Sequence, residues 1–447
     1  MRYVLLGGGA RRRATLPRTR TASARPADRG ARVPRPGARQ SYRFTDLSQL
    51  VGSECSPPPP GSREGEELVG RAVEGAAAAE AGTLRLVIVD GIFRPGLSQM
   101  HGLDEGVFVG SSRSHNRDAA RSVLSRAHGS VQGSLKVDTV FASLNGACAP
   151  DVVAVDVAPG VRAGHPLQVV YISTGADRGA GGALSTSFPR VSITVGAGAS
   201  LSVLETFASA QDGAEDARAH FCCPVLEVSL AEGAELRHDY TQQSSRGAFH
   251  IRQTCVEQAE RSTYNFTGVD TGSSLSRHNL FVGQGGRDTH TALHSFAMVS
   301  KDQLIDLHSD IDLDHPSGTT DQLHKCIVAH ASSRGVFDGS VHVRKPAQQT
   351  DAGQLCRSLL LNRNATVNVK PNLQIHADDV KCTHGATISD LEEDQLFYLR
   401  SRGVSSEDAR KTLVYSFGLE VVGRIGSEST RKRLAAVLAD MCESDVS

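Results

Sequence analysis

A thiol and an imidazole stand two residues apart in Ala377-Asp-Asp-Val-Lys-Cys382-Thr-His384-Gly-Ala-Thr387, where a β-type pattern gives way to a helical one. On a strand, residues two apart share a face. Cys382 and His384 can therefore address one ion, and a thiolate with an imidazole suits iron or zinc. Two ligands complete neither a cluster nor a structural zinc site, so other groups must supply the rest. The alternative is a buried thiol beside a hydrogen-bonded imidazole. Asp378 and Asp379 could add oxygen ligands or orient the imidazole, but Asp before a strand more often bonds nearby backbone N–H groups in a turn, and that role is favoured here. Lys381 could lower the Cys382 pKa, although neighbouring strand residues face opposite ways.

Other constellations are weaker. Histidines crowd positions 278 to 342, but His290 and His294 lack the Glu of a zinc-protease helix, and on a strand they would sit about 13 Å apart. These histidines are expected at surface or ladder positions. Asp310, Asp312 and Asp314 alternate with apolar residues and lack the Gly and terminal Glu of a calcium loop; an edge of a strand is expected. The nine cysteines include no Cys-x-x-Cys pair. Their odd number argues against a secreted disulfide framework. Cys222 and Cys223 are expected as two reduced thiols, and Cys356 as core. No phosphate-binding Gly-x4-Gly-Lys-Ser/Thr loop occurs, and Gly283-Gln-Gly285 is followed by Asp288 where a dinucleotide fingerprint needs Gly. Any ATP hydrolysis must come from a partner.

The elements that position these residues are mostly short strands. Leu84–Val89, Lys136–Ala142, Gln168–Ile172, Val191–Val195 and Leu226–Leu230 run apolar or alternate, bounded by turn residues. Val195-Gly-Ala-Gly198-Ala-Ser-Leu201 is echoed by Leu230-Ala-Glu-Gly233-Ala-Glu-Leu236, and Asn364–Val369 repeats the form. Strand, turn and strand at loose intervals suggest a β-solenoid, with a β-sandwich as the other option. A core poor in aromatics and without Trp fits the former. Short helices are expected at Ala76–Ala79 and around Ser122–Ala127, with a linker from Pro57 to Glu67. Asp390-x-x-Glu393 reads as a capping box, Arg402-Gly403 as a stop and Ser405-x-x-Asp408 as a second cap. Ala409, Leu413, Val414, Phe417 and Val421 form one apolar face, and a third helix covers about 431–442. With a net charge of −1, nothing points to nucleic acid. No apolar run is long enough to span a membrane.

The motif around Cys382 closely resembles the signature of the SufB/SufD family of the SUF iron–sulfur cluster assembly system. Gly335-Val-Phe-Asp-Gly339, Ala347-Gln-Gln-Thr-Asp-Ala352, Ser358-Leu-Leu-Leu361 and Leu396-Phe-Tyr-Leu-Arg-Ser-Arg-Gly403 follow that family's order and spacing. The resemblance is dense over 300–422 and traceable back to about 135. Tyr42-Arg-Phe-Thr-Asp-Leu47 is similar to a family segment that usually begins with Trp. Cys382-Thr-His384-Gly385 resembles the SufD branch, since SufB-like sequences carry Cys-Glu-His-Glu.

The resemblance implies a right-handed parallel β-helix core with a small C-terminal helical domain and short N-terminal helices. It divides the chain into a transit peptide or disordered tail over 1–45, an N-terminal region over 46–134, the SufBD core over 135–388 and helices over 389–447. It implies a non-catalytic scaffold. A SufB-like subunit binds the β-helix end, where Cys382 and His384 are candidate ligands of a nascent, shared iron–sulfur cluster. A SufC-like ABC ATPase binds about 390–422, and a homodimer is an alternative assembly. The first 45 residues are rich in Arg, with Asp28 as their only acid, as in an organelle transit peptide. The expected location is the plastid stroma, or the cytoplasm if that segment is no transit peptide. The rival reading is a secreted β-helix polysaccharide lyase or hydrolase using Asp310, Asp312 and Asp314; the N-terminus speaks against it.

Overall fold

The computed structural model describes residues 31–32, 42–56, 58, 63–78, 80, 82–111, 139–175, 183–210 and 219–445. Two sheets wind as a β-solenoid. One runs through strands Arg190–Val195, Val225–Leu230, Phe249–Gln258, Leu275–Gln284, Leu304–Leu313, Arg334–Val343 and Thr366–Ile375. The other runs through Leu84–Val89, Leu167–Ser173, Ser200–Ser209, Glu235–Gln242, Thr263–Asp270, His290–Val299, Thr319–Val328, Thr350–Leu360 and Val380–Ser389. Neighbours in both series pair in parallel, each strand with the matching one of the next coil.

Stacking places equivalent residues over one another. Val155, Ile193, Val228, Val256, Val282, Ile311, Val341 and Leu373 form one continuous register column inside the solenoid. All are buried except the half-buried Leu373. β-Branched side chains suit such a column because they pack closely on a pleated surface. The echo around Gly198 and Gly233 is the corner of two coils. Both glycines take positive φ (64° and 63°), and each donates its N–H to the next coil, at Glu232 O and Glu260 O (2.9 Å each). The corner then passes to Arg261, Asp288, Ser317 and Gln349, also at positive φ.

Lys136–Asp138 of the strand expected over Lys136–Ala142 lie outside the described residues, and its remainder is instead the start of helix Thr139–Cys148. Phe141 and Asn145 share its inner face. Phe141 meets Phe221 edge-on at 6.2 Å, and the Asn145 amide donates to Pro189 O and Cys223 O, both at 2.8 Å. Those carbonyls lie where Pro189 and Pro224 interrupt the ladder, so tertiary demand outweighs the β-branched run. Of the helix expected over Ala76–Ala79, only Ala76 is helical, as the last residue of helix Arg63–Ala76; Ala77 and Ala78 lie past its end and Ala79 lies outside the described residues. Residues 63–67, read as linker, form its first turns, where the dipole favours carboxylates such as Glu66 and Glu67. The piece expected at Ser122–Ala127 and most of 1–45 lie outside the described residues.

Helices Glu393–Ser401, Ser406–Val422 and Glu428–Asp445 follow the last strand. Val414, Val421, Leu434 and Leu438 pack with Phe296, Met298, Leu323 and Ile327 on the outer face of the second sheet. The Ser405 cap forms as expected, its Oγ accepting the Asp408 N–H at 3.0 Å. The Asp390 box does not: its carboxylate turns to the adjacent Leu391 N–H, and Glu392 is the residue before the helix.

Candidate functional site

Among the described residues, Val380–Ser389 is the last strand of its sheet and pairs only with Thr350–Leu360. Thr366–Ile375 likewise ends the other sheet. The final coil thus presents two strand edges with unpaired backbone groups, a template for another chain. Ile375 (42 % exposed) and Ile388 (49 %) stand at this end.

Cys382 lies opposite Ala352 and His384 opposite Gln354. Being two apart, they share the face toward the solenoid interior. Cys382 is half-buried against the aliphatic core, while His384 is exposed. Burial, and then the Asp351 carboxylate, push the Cys382 thiol above its ordinary pKa. Lys381, which could have lowered it, points to the opposite face of the strand, where its ammonium pairs with Asp351 at 3.2 Å. Metal capture at Cys382 must displace a proton, as thiolate ligation always does.

Among the described residues, no group of three or more His, Cys, Asp or Glu could hold a metal ion. The donor types of Cys382 and His384 suit iron, but their number does not close a site. Asp378 and Asp379 are exposed at the last corner. The Asp379 backbone carbonyl accepts the Gln349 N–H at 2.6 Å and its backbone N–H donates to Gln348 Oε1 at 2.8 Å, so the corner is held by main-chain bonds of Asp379. His290 bonds Thr319 Oγ1 and His294 faces Asp321, each a ladder contact to the next coil. Asp310 and Asp312 pair with His342 and Arg344 of the next coil, on an interior strand rather than an edge. Cys222, Cys223 and Cys356 are free, buried thiols.

Sequence reading missed a polar interior. The Glu205 carboxylate, within the solenoid, accepts from Arg252, from Tyr171 OH at 2.6 Å and from the His238 ring at 2.7 Å. Burial opposes its ionisation, yet Arg252 and His238 hold it well below the carboxylate range. His278 and His324 also lie inside, not at the surface; burial lowers both, His324 to about 3. Alternation within strands could have flagged them, since each has the inward parity of its neighbours.

A family model described as "SUF system FeS cluster assembly, SufBD core domain" matches residues 176–417. The chain is 41 % identical over 392 residues to "Protein ABCI7, chloroplastic" of Arabidopsis thaliana, covering 88 % of this chain and 79 % of that one. It is 34 % identical over 403 residues to an iron–sulfur cluster assembly SufBD family protein of Synechocystis, covering 88 % and 84 %. It is 28 % identical over 398 residues to the iron–sulfur cluster assembly protein SufD of Escherichia coli, covering 89 % and 86 %.

Proposed function

Because this chain belongs to the SufBD family of iron–sulfur cluster assembly proteins, and to its SufD type, we infer that it is a non-catalytic scaffold subunit whose open solenoid end takes part in building the cluster. The observation that carries this reading is the placement of Cys382 and His384 on a terminal strand with a free edge. A SufB-like partner would add its own strands to these edges, since backbone groups left unpaired invite strand addition. It would also bring the ligands that Cys382 and His384 lack. Iron and sulfide are then the substrates, and the cluster leaves as product.

Energy would come from a SufC-like ATPase docked on about 390–422. In helix Glu393–Ser401 only Leu396 is buried, while Phe397 (73 % exposed) and Tyr398 (58 %) present their rings to solvent. Exposed aromatics on a short, lightly anchored helix suit a partner groove. Location in the plastid rests on the chloroplastic relative and on the Arg-rich, acid-poor N-terminus.

Hydrogen exchange tests the docking. Adding a SufB-like partner should slow exchange in 366–375 and 380–389 more than elsewhere in the solenoid. Unchanged exchange there, with protection on another face, would move the interface away from the site.

A further inference from the structure

Beside the apolar seam and the Lys325–Glu420 ion pair (2.5 Å) that hold helix Ser406–Val422 on the second sheet, the C-terminal helices meet the rest of the molecule at a second polar joint. Glu80 sits at the N-terminus of helix Glu428–Asp445. Its carboxylate accepts from Ser429 N–H (2.6 Å), Ser429 Oγ (2.9 Å) and Ser427 Oγ (2.9 Å). In return Arg433 Nη1, from that helix, donates to Gly75 O (3.1 Å) and Ala77 O (3.2 Å), at the C-terminal end of helix Arg63–Ala76. Each helix thus receives the charge its dipole favours: an anion at one N-terminus and a cation at one C-terminus. Burial opposes Glu80 ionisation, but the bonds from Ser429 and Ser427 outweigh it and keep the carboxyl below its ordinary range.

The same stretch is tied to the solenoid. Gln168 bonds Ala76 O and the Ala78 N–H, at 2.9 and 2.7 Å. On the other side, Asp239 accepts the Gly426 N–H at 2.7 Å, and Arg237 donates to Arg424 O. Gly426 packs so closely that a Cβ there would stand 3.0 Å from both Arg237 Nε and Asp239 Oδ2. Residues 75–78 with Glu80, the solenoid and the turn at 423–427 therefore form a three-way junction. At the other end of the helical unit, helix Glu393–Ser401 has one buried side chain and follows directly on the strand bearing Cys382 and His384.

We propose that Glu80 and Arg433 are positioning residues that fix the turn at 423–427 as a pivot, so that force on the exposed helix Glu393–Ser401 moves the strand Val380–Ser389 rather than the whole helical unit. The pivot stands on geometry alone. Its use rests on the ATPase-docking reading.

The test compares full-length wild type with Glu80→Ala, Arg433→Ala and Glu80→Gln by hydrogen exchange. Loss of a helix cap should speed exchange of 428–433 by about five- to tenfold in Glu80→Ala. Because the caps are reciprocal, Arg433→Ala should loosen both 75–80 and 428–433. Glu80→Gln, which keeps an acceptor without the charge, should fall between. Segments 380–389 and 393–401 should not change. No acceleration at 428–433, or a rise confined to the mutated segment, overturns the pivot. With the SufC-like ATPase bound, Glu80→Ala should retain the ATPase but lose most of the ATP-dependent change in exchange at 380–389; an undiminished change overturns the coupling. Failure of wild type to bind the ATPase sinks the docking reading alone, and the free-chain exchange still decides the pivot.

Discussion

Asp270 is a carboxyl buried in the solenoid whose partners are neutral: the Ser276 hydroxyl and the Gly272 N–H. Burial raises its pKa to about 7, from an ordinary value of 3.8. Between those values the folded chain holds a proton that the unfolded chain has released. Stability contributed by that proton is therefore lost as pH rises from about 4 to about 7. Asp270→Asn should flatten this slope. Denaturant midpoints at pH 5.5 and 8 should differ less in the variant than in wild type; equal differences would mean that Asp270 titrates normally. The same scale shows what sequence could tell. Cys382 and His384 were legible as a pair because strand spacing is local. The direction of the Cys382 shift was not, because its first cause is burial against a core built from distant coils, and its second, Asp351, lies on the neighbouring strand about thirty residues off in sequence.

Helices were legible where their caps are local. Ser405 and Asp408 announce helix Ser406–Val422, and Gly403 at φ 88° ends the helix before it. Thr139–Cys148 was misread, since its Thr-Val-Phe start favours a strand and the reason for a helix lies in Asn145 reaching two distant carbonyls. Gly418 shows how tightly the C-terminal unit docks. A Cβ there would stand 2.6 Å from Leu438 Cδ2 and 2.9 Å from Phe296 Cζ, on two different elements. Gly418→Val should cost about 1–3 kcal/mol through overpacking and lower the melting temperature, with faster exchange in 428–445. A variant that melts like wild type would show that the seam is loose.

At the scale of the molecule, the solenoid was only half visible in the sequence. The coil repeat keeps Gly at its first corners and then hands the left-handed position to Arg261, Asp288, Ser317 and Gln349. These residues pay a modest conformational cost that the stacked corner hydrogen bonds offset. A repeat defined by backbone geometry rather than residue type fades in sequence while persisting in space. The polar interior around Glu205 was hidden for a related reason: its members come from several strands, from Tyr171 to Tyr264. What the repeat does not predict is its end, and the end matters most, because the last coil carries both candidate ligands and both free edges. The most direct test is anaerobic co-expression of this chain with SufB-like and SufC-like partners, followed by assay of subunit ratio, iron and sulfide. The three-component complex should form with wild type and with His384→Ala or Cys382→Ser, and each substitution should lower bound iron and sulfide several-fold. A complete complex with unchanged iron and sulfide in both variants would contradict a ligand role for the open end of this chain.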